Sequence, residues 1–222
     1  MVESIRHDSP VLIVGLGRFG SAVAEQLDAQ DREVLAIDTD ASLVQSWSDR
    51  VTHAVVADAR SAEVLKQLGA SEFDVAVVAV GSSVEASVLV AANLVDLGIR
   101  QIWAKAISSS HGKILERIGV NHVVYPEHEA GERVAHLVSG QMLDFIEFDD
   151  NFVLVKMYPP KPIRGLPLSE SSVRSRYRIT VVGVKSPGKP FTYATPDTVV
   201  SDHDLIIVSG TTADVEKFAT LG

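Results

Sequence analysis

The residues best suited to chemistry form a glycine-rich turn near the start of the chain. An apolar run, Val11–Val14, leads into the turn Gly15-Leu16-Gly17-Arg18-Phe19-Gly20, and a helical pattern follows it. In such a turn the first glycine permits the sharp bend, the second lets phosphates approach the backbone, and the third lets the helix pack against the strand. Free N–H groups and partial positive charge at the helix N-terminus favour an anion. The turn therefore predicts a phosphate-binding site.

A carboxylate follows this turn at a sequence spacing that is typical of nucleotide-binding sites. Asp38 ends the next strand-like run, 18 residues after Gly20. A carboxylate about 20 residues beyond such a turn commonly binds ribose hydroxyls. Together the two features predict an adenine-nucleotide site, and the acidic residue disfavours a ligand with a 2′-phosphate such as NADP. The alternative is that Asp38 only caps the helix that follows it.

Further polar residues follow the later strand-like runs. They lie where strands are predicted to end, the edge at which open α/β sheets bind ligands: Asp58, Gly81, Ser82-Ser83, Lys105 and Glu127. Arg18 and Lys105 are candidate donors to a di- or triphosphate. Phosphates would repel Glu127 unless a divalent cation lay between them, which makes Glu127 a candidate metal ligand. Each of these charges can equally be a solvated strand end.

Six strand-like runs alternate with six helical patterns before residue 145. The runs are short and almost wholly apolar, as in a parallel sheet covered on both faces. The strands are predicted at 11–14, 33–37, 53–56, 75–80, 101–104 and 122–125, and the helices at 19–29, 41–47, 61–68, 84–97, 110–118 and 129–142. Asp40 and Ser61 are predicted N-caps, and Gly69, Gly98 and Gly119 are predicted left-handed helix ends. The pattern predicts an α/β fold with a doubly wound parallel sheet.

The pattern changes near residue 149. Strands are predicted at 152–157, 179–184 and 205–208, and helices at 169–176 and 212–219, with a proline-rich turn at 158–162. This segment predicts a small α+β lobe. We therefore place a nucleotide-binding domain at residues 9–145 and a second domain at residues 146–222.

Composition excludes several classes of protein. The formal charge of −9 at pH 7 provides no basic surface for a nucleic-acid polymer. With no cysteine, the chain has neither disulfides nor thiolate metal sites. Its longest apolar runs are far shorter than the ~20 residues of a membrane span, and residues 1–8 lack the apolar core of a signal peptide. We expect a cytoplasmic protein without direct membrane insertion.

The chain lacks the signs of an enzyme. Tyr158 and Lys161 are three residues apart in a proline turn, and the seven histidines form no HxxxH or HExxH pair. A dehydrogenase would need a proton-transfer group beside the nicotinamide. We therefore predict no catalysis. An NAD(H)-binding redox module or dehydrogenase remains the alternative, because Asp38 suits NAD equally well.

A set of motifs resembles one known family. These are VGLGRFG at 14–20, AID at 36–38, HAVVADA at 53–59, AVG at 79–81, IWAKA at 102–106, LERIGV at 115–120, YPE at 125–127 and GERVA at 131–135. They are similar to RCK (regulator of K⁺ conductance) domains of the TrkA/KtrA-like cytosolic regulatory subunits of Ktr/Trk potassium transporters. The resemblance covers almost the whole chain. It implies a Rossmann-like RCK-N domain followed by an RCK-C lobe.

The resemblance also implies a ligand and its contacts. In such proteins ATP and ADP bind at the glycine turn and select between conformations that gate the transporter. By position, Asp38 would hold the ribose and Asp58 with Ala59 would frame the adenine. Arg18 and Lys105 would hold the distal phosphates, with a cation at Glu127. The implied contacts are Gly15, Gly17, Arg18, Phe19, Gly20, Asp38, Thr39, Asp58, Ala59, Val80, Gly81, Lys105 and Glu127.

Partners follow from the same resemblance. The chain would form dimers that build an octameric cytosolic gating ring, using the apolar faces of helices 84–97 and 110–118, and would sit at the inner face of the membrane through a Ktr/Trk transporter. The paired C-lobes can take a second effector such as cyclic di-AMP, with Arg174 on its phosphates and Thr180 and Pro196 lining the pocket. Arg176 stands where a small residue is usual, and either adds a phosphate contact or blocks the pocket.

Overall fold

The computed structural model describes residues 8–138, 142–149 and 151–221. It divides into two compact units, residues 1–127 and 128–222. The boundary predicted at residue 145 stays a prediction.

The first unit is built on a six-stranded parallel sheet. Its strands are Val11–Val14 (β1), Val34–Asp38 (β2), His53–Val56 (β3), Val75–Val78 (β4), Gln101–Lys105 (β5) and His122–Val124 (β6). The order across the sheet is β3-β2-β1-β4-β5-β6, and every pairing is parallel. The order reverses beside β1, so the carboxyl ends of β1 and β4 frame the crevice where such sheets bind ligands. The predicted doubly wound, Rossmann-like fold is confirmed.

Helices follow these strands in the chain. They are Arg18–Asp28 (α1), Ala41–Trp47 (α2), Ala62–Gln67 (α3), Val84–Asp96 (α4), Ser109–Arg117 (α5) and Pro126–Val138 (α6), with a 3₁₀ turn at Ala70–Glu72. The predicted caps are confirmed: the Asp40 side chain accepts from the backbone of Ser42, and Ser61 accepts from Val64. The glycines after α3, α4 and α5 all have positive φ, as predicted.

Alternate residues of β1 face two separate cores. Val11 and Ile13 lie in a cluster with Trp47 of α2, whereas Leu12 and Val14 lie in another with α3, α4 and α5. Strand residues point alternately to opposite faces, so continuous apolar runs are required here. Burial on both faces holds the strand ends, and hence the crevice, in place.

The second unit contains a five-stranded antiparallel sheet. Its strands are Met142–Asp149 (β7), Phe152–Met157 (β8), Thr180–Lys185 (β9), Thr192–Tyr193 (β10) and Leu205–Thr211 (β11), in the order β10-β9-β11-β8-β7. The helices are Leu168–Ser171 (α7), Val173–Tyr177 (α8) and Thr212–Ala219 (α9), with a 3₁₀ turn at Lys161–Ile163. The predicted small α+β lobe is confirmed.

Two predicted helices differ from the structure by more than their end residues. The helix predicted through Met142 ends at Val138, residues 139–141 lie outside the described part, and Met142 begins β7. That strand pairs along its length with β8, a partner that local periodicity does not reveal. The helix predicted at 169–176 is divided in two at Ser172, which has a φ of 51°.

No helix among the described residues is both long and apolar enough to cross a membrane.

Candidate functional site

The glycine turn requires glycine at two positions for different reasons. Gly15 has a φ of 99°, and a Cβ there would lie 3.1 Å from the backbone of Ala79. A Cβ on Gly20 would overlap the carbonyl oxygen of Gly15 and lie 2.9 Å from the Ala79 Cβ. Gly17 has a φ of −65° and no atom within 4 Å of an added Cβ. Its missing side chain therefore serves no packing purpose and leaves open space above the turn.

Backbone hydrogen bonds tie the turn to the neighbouring strand ends. The Gly15 N–H donates to the Ile37 carbonyl over 2.8 Å, and the Ala79 N–H donates to the Val14 carbonyl over 2.7 Å. These bonds continue the parallel ladders one residue past β1 and β4. They align the ends of β1, β2 and β4 around one crevice.

The N-terminus of α1 opens at this turn. Gly17 is its N-cap, no side chain caps it, and its first turn contains no acidic residue. The first N–H groups of a helix have no partner within the helix, and their dipole favours an anion. Ser21, whose hydroxyl donates to the Leu16 carbonyl over 2.7 Å, fastens the helix to the turn. This arrangement suits phosphate oxygens.

Asp38 binds the turn itself. Its Oδ2 accepts from the Leu16 N–H over 2.6 Å, and its Oδ1 accepts from the Asp40 N–H over 2.9 Å. The helix-cap alternative is therefore not what the structure contains, because Asp40 caps α2. The sequence did not predict this hydrogen bond between Asp38 and the backbone of the glycine turn.

These elements enclose a cavity of about 530 Å³. It is lined by residues from the glycine turn and from the loops after β2, β3 and β4. Of the predicted contacts, Gly15, Gly17, Asp38, Thr39, Asp58, Ala59, Val80 and Gly81 line it. Ser82 and Ser83, predicted at the end of the fourth strand, also line it. Asp40 and Arg60 line it as well and were not predicted as contacts. The volume suits a nucleotide-sized ligand.

Five predicted contacts do not line that cavity: Arg18, Phe19, Gly20, Lys105 and Glu127. Phe19 lines a separate apolar groove with Trp103. Lys105 donates to Glu127, and its Nζ lies 3.4 Å from the position of a Cβ on Gly81. The hydrogen bond from Lys105, with a smaller effect of the Arg18 charge, lowers the pKa of Glu127.

These three charges are thus close enough to interact beside the cavity. No group of three or more potential metal ligands occurs among the described residues, so Glu127 as a cation ligand stays a prediction.

The loop after β3 carries an ion pair at the cavity wall. The Arg60 Nε lies 2.9 Å from Asp58 Oδ1, and its Nη2 lies 2.6 Å from Oδ2. These hydrogen bonds lower the pKa of Asp58. Arg60 was missed because no motif in the sequence marks an arginine at this position.

A buried histidine fixes the loop after β5. The Ile107 N–H donates to His111 Nδ1 over 3.3 Å, and His111 is 1% exposed. Burial lowers the pKa of His111, so the neutral ring is favoured. Its Nε2 has no hydrogen-bond partner. The histidine thus supports the segment that follows Lys105.

The second unit has a cavity of about 470 Å³. Arg174, Thr180 and Pro196, the residues predicted to bind a second effector, all line it. Arg176 does not line it, and its guanidinium lies 5.2 Å from the centre of the Tyr177 ring.

The chain matches two models of known protein families. A family model described as the TrkA-N domain matches residues 11–126, and another described as the TrkA-C domain matches residues 152–221. The chain belongs to the TrkA family. The predicted resemblance to RCK regulatory subunits is confirmed.

Two relatives match this TrkA-family chain almost end to end. It is 33% identical over 207 residues to the Ktr system potassium uptake protein C of Bacillus subtilis, covering 93% of this chain and 94% of the relative. It is 30% identical over 211 residues to the Ktr system potassium uptake protein A of that organism, covering 95% of each. Both relatives are named as potassium uptake proteins rather than as enzymes, in agreement with the prediction of no catalysis.

Solved structures show the same fold. The GsuK RCK domain superimposes with a TM-score of 0.64 at 19% identity, covering all of this chain and 48% of that chain. The GsuK channel bound to NAD gives a TM-score of 0.63 at 18% identity, covering all of this chain and 40% of that one. This chain therefore spans about half or less of those proteins.

Proposed function

We propose that this chain senses adenine nucleotides and thereby regulates a Ktr/Trk-type potassium transporter in the membrane. The observation that carries the proposal is the cavity in which Gly15, Gly17 and Asp38 meet beside the open N-terminus of α1. Membership of the TrkA family, with relatives named as potassium uptake proteins, supports the transporter as the regulated partner.

ATP and ADP would be distinguished at the charges beside this cavity. Arg18 is exposed at the turn, and Lys105 is paired with Glu127 next to Gly81. A γ-phosphate would offer Arg18 and Lys105 a charge that ADP lacks and would displace Glu127 unless a divalent cation bridged them. A ligand shifts a conformational equilibrium only through such differential contacts.

NAD or NADH is the second candidate ligand. The GsuK channel, which shares the fold, is described as bound to NAD, and a ribose-binding carboxylate serves NAD as well as ATP. Under this alternative the chain would respond to redox state, and Arg18 would contact no γ-phosphate.

Assembly into an octameric gating ring is part of the proposal. Exposed apolar side chains on and beside α4 and α5 are its support: Leu89 is 43% exposed, Ile107 49% and Ile114 41%. Exposed apolar groups of this kind favour contact with another protein surface. The ring would be cytoplasmic and held at the inner face of the membrane by the transporter.

The cavity of the second unit is proposed to take a cyclic dinucleotide such as cyclic di-AMP. Arg174 at its wall would bind a phosphate, with Thr180 and Pro196 beside the base. Because Arg176 does not line the cavity, its bulk would not block this pocket.

A competition titration tests the main proposal. The purified chain is titrated with ATP, ADP, NAD and NADH by calorimetry, each alone and then against bound ADP. We expect ATP and ADP to bind and to exclude each other. Tight NADH binding that ATP does not displace would favour the redox alternative, and binding of none of the four would refute a nucleotide sensor.

A matched pair of variants tests the distinction between ATP and ADP. Arg18→Ala should weaken ATP more than ADP, since only ATP has the third phosphate. Arg50→Ala is the control, because Arg50 pairs with Glu25 and does not line the cavity. Equal losses for both nucleotides in Arg18→Ala would contradict a γ-phosphate contact. Light scattering with each nucleotide reports the size of the assembly.

A further inference from the structure

Arg60 lies in the loop after β3 and has no part in the proposed nucleotide contacts. It lines the same cavity as the glycine turn and Asp38. Its side chain is 56% exposed, so it is accessible to a ligand. A role for Arg60 rests on the proposed adenine-nucleotide site and concerns the part of the ligand that its side chain would meet.

The order of strands assigns each part of a nucleotide to a strand end. Phosphates belong at the N-terminus of α1, which follows β1, and the ribose belongs at Asp38, which ends β2. The next strand in the same direction is β3, at the edge of the sheet. Adjacent strands are about 4.8 Å apart. One cavity is lined by the turn, by Asp38 and by the loop after β3. The base therefore extends toward the loop after β3, where Arg60 lies.

The guanidinium of Arg60 is held by its edge. Its Nε and Nη2 donate to the two oxygens of Asp58, and the Arg60 backbone N–H donates to Asp58 Oδ1 over 3.0 Å. Asn93 of α4 donates to the Arg60 carbonyl over 2.9 Å and fixes the loop from the other side. Hydrogen bonds in the guanidinium plane leave its flat faces available for stacking.

Both carboxylate oxygens of Asp58 are already hydrogen-bonded to Arg60. Its two oxygens accept contacts from the Arg60 backbone N–H, from Nε and from Nη2. A carboxylate has about four acceptor positions, so little capacity is left for a base amine. Asp58 is better placed to orient Arg60 than to contact the ligand itself.

We propose that Arg60 is the stacking platform for the purine base, and that Asp58 is its positioning residue. A planar cation stacks on the π-face of a base, and this contact is independent of the number of phosphates. The rival role for a cation at this wall is attraction of the phosphates, which would depend on their number and would need no planar group.

The test measures AMP, ADP and ATP binding by calorimetry for the wild-type chain, Arg60→Ala and Arg60→Lys. Stacking predicts that both variants lose affinity about tenfold, by the same factor for the three nucleotides. Inorganic tripolyphosphate, which has no base, should bind all three proteins equally. Arg50→Ala is the matched control, because Arg50 also pairs with a carboxylate and lies over a ring, Trp47, away from the cavity.

Positioning by Asp58 is tested by a double-mutant cycle. Asp58→Ala should weaken nucleotide binding, and Asp58→Ala combined with Arg60→Ala should bind no more weakly than Arg60→Ala alone. If the affinity loss of the double variant instead equals the sum of the two single losses, Asp58 contacts the ligand directly. Melting temperatures of the free proteins verify that each variant is folded.

Several outcomes overturn the proposal. Rescue by Arg60→Lys, or a loss that increases from AMP to ATP, would show that the charge of Arg60 acts on phosphates. Unchanged binding in both variants would remove Arg60 from the site while leaving the sensor intact. If the wild-type chain binds none of these nucleotides, the proposed function fails first.

Discussion

Gly17→Ala separates ligand binding from folding. The structure predicts almost no effect on the free protein, because a Cβ there meets no atom within 4 Å and the φ of −65° is open to alanine. Alanine lowers the entropy of the unfolded chain, a gain of about 0.4–1 kcal/mol. It is a poorer N-cap than glycine, at a cost of roughly 0.5–1 kcal/mol. The two effects offset each other, so the free energy of unfolding should change little.

Nucleotide affinity should respond differently. Phosphates at the N-terminus of α1 would approach the bare backbone at Gly17, and a methyl group would occupy that space. We expect ADP affinity to fall at least tenfold, about 1.4 kcal/mol. At an ADP concentration 100 times the wild-type Kd, the ligand stabilises the wild-type protein by about 2.7 kcal/mol. The same concentration should stabilise Gly17→Ala by about 1.4 kcal/mol or less.

Thermal unfolding with and without ADP, supported by calorimetric titration, measures both quantities. Gly131→Ala is the matched control, since a Cβ on this helical glycine of α6 also meets no atom within 4 Å. It should retain wild-type ADP affinity. If Gly17→Ala binds ADP as tightly as the wild-type chain, phosphates do not lie against this turn, and the reasoning is refuted.

Three other substitutions probe the turn and its support. Gly20→Ala should destabilise the protein by about 1–3 kcal/mol or more in urea unfolding, since its Cβ overlaps the Gly15 carbonyl; a wild-type midpoint would contradict this close packing. Asp38→Asn should weaken ATP and ADP binding alike. The NH₂ of asparagine replaces one carboxylate oxygen and cannot accept from the Leu16 or Asp40 N–H that this oxygen binds. Unchanged affinities in calorimetric titrations with both nucleotides would refute the ribose role. Burial lowers the pKa of His111, so the unfolded chain takes up a proton at higher pH than the folded one, and stability should fall as pH drops below about 6.5. In melts from pH 7.5 to 5.5, His111→Leu should lose less stability than the wild-type chain; parallel curves would mean that His111 does not carry this dependence.

Local patterns in the chain were sufficient for most of the first unit. Apolar runs such as Val11–Val14 indicate strands because burial on both faces demands them. Capping residues such as Asp40 are visible because their side chains bind N–H groups only two or three residues away. Alternation of strands and helices restricts the topology to a few parallel arrangements. The glycine turn and Asp38 were found for the same reason, since their spacing belongs to one β-α-β segment.

Contacts between distant residues required the tertiary structure. β7 was missed because the predicted helix took in its first residue, Met142, and no element was assigned to 143–149, whose strand structure comes from antiparallel pairing with β8. The bond from the Leu16 N–H to Asp38 spans 22 residues and depends on how β1 and β2 are aligned. Arg60 is a single residue within a loop, and only the structure shows that it lines the cavity.

One physical cause separates the features that the sequence predicts from those that only the structure shows. Hydrophobic period, turn chemistry and capping act over a few residues, so composition and order alone express them. The shape of the cavity and the pairing of Lys105 with Glu127 arise from groups far apart in the chain, which meet only when the sheet has aligned its strand ends. The sequence by itself determined the fold and the glycine-rich turn, whereas the folded sheet decided which side chains line the cavity.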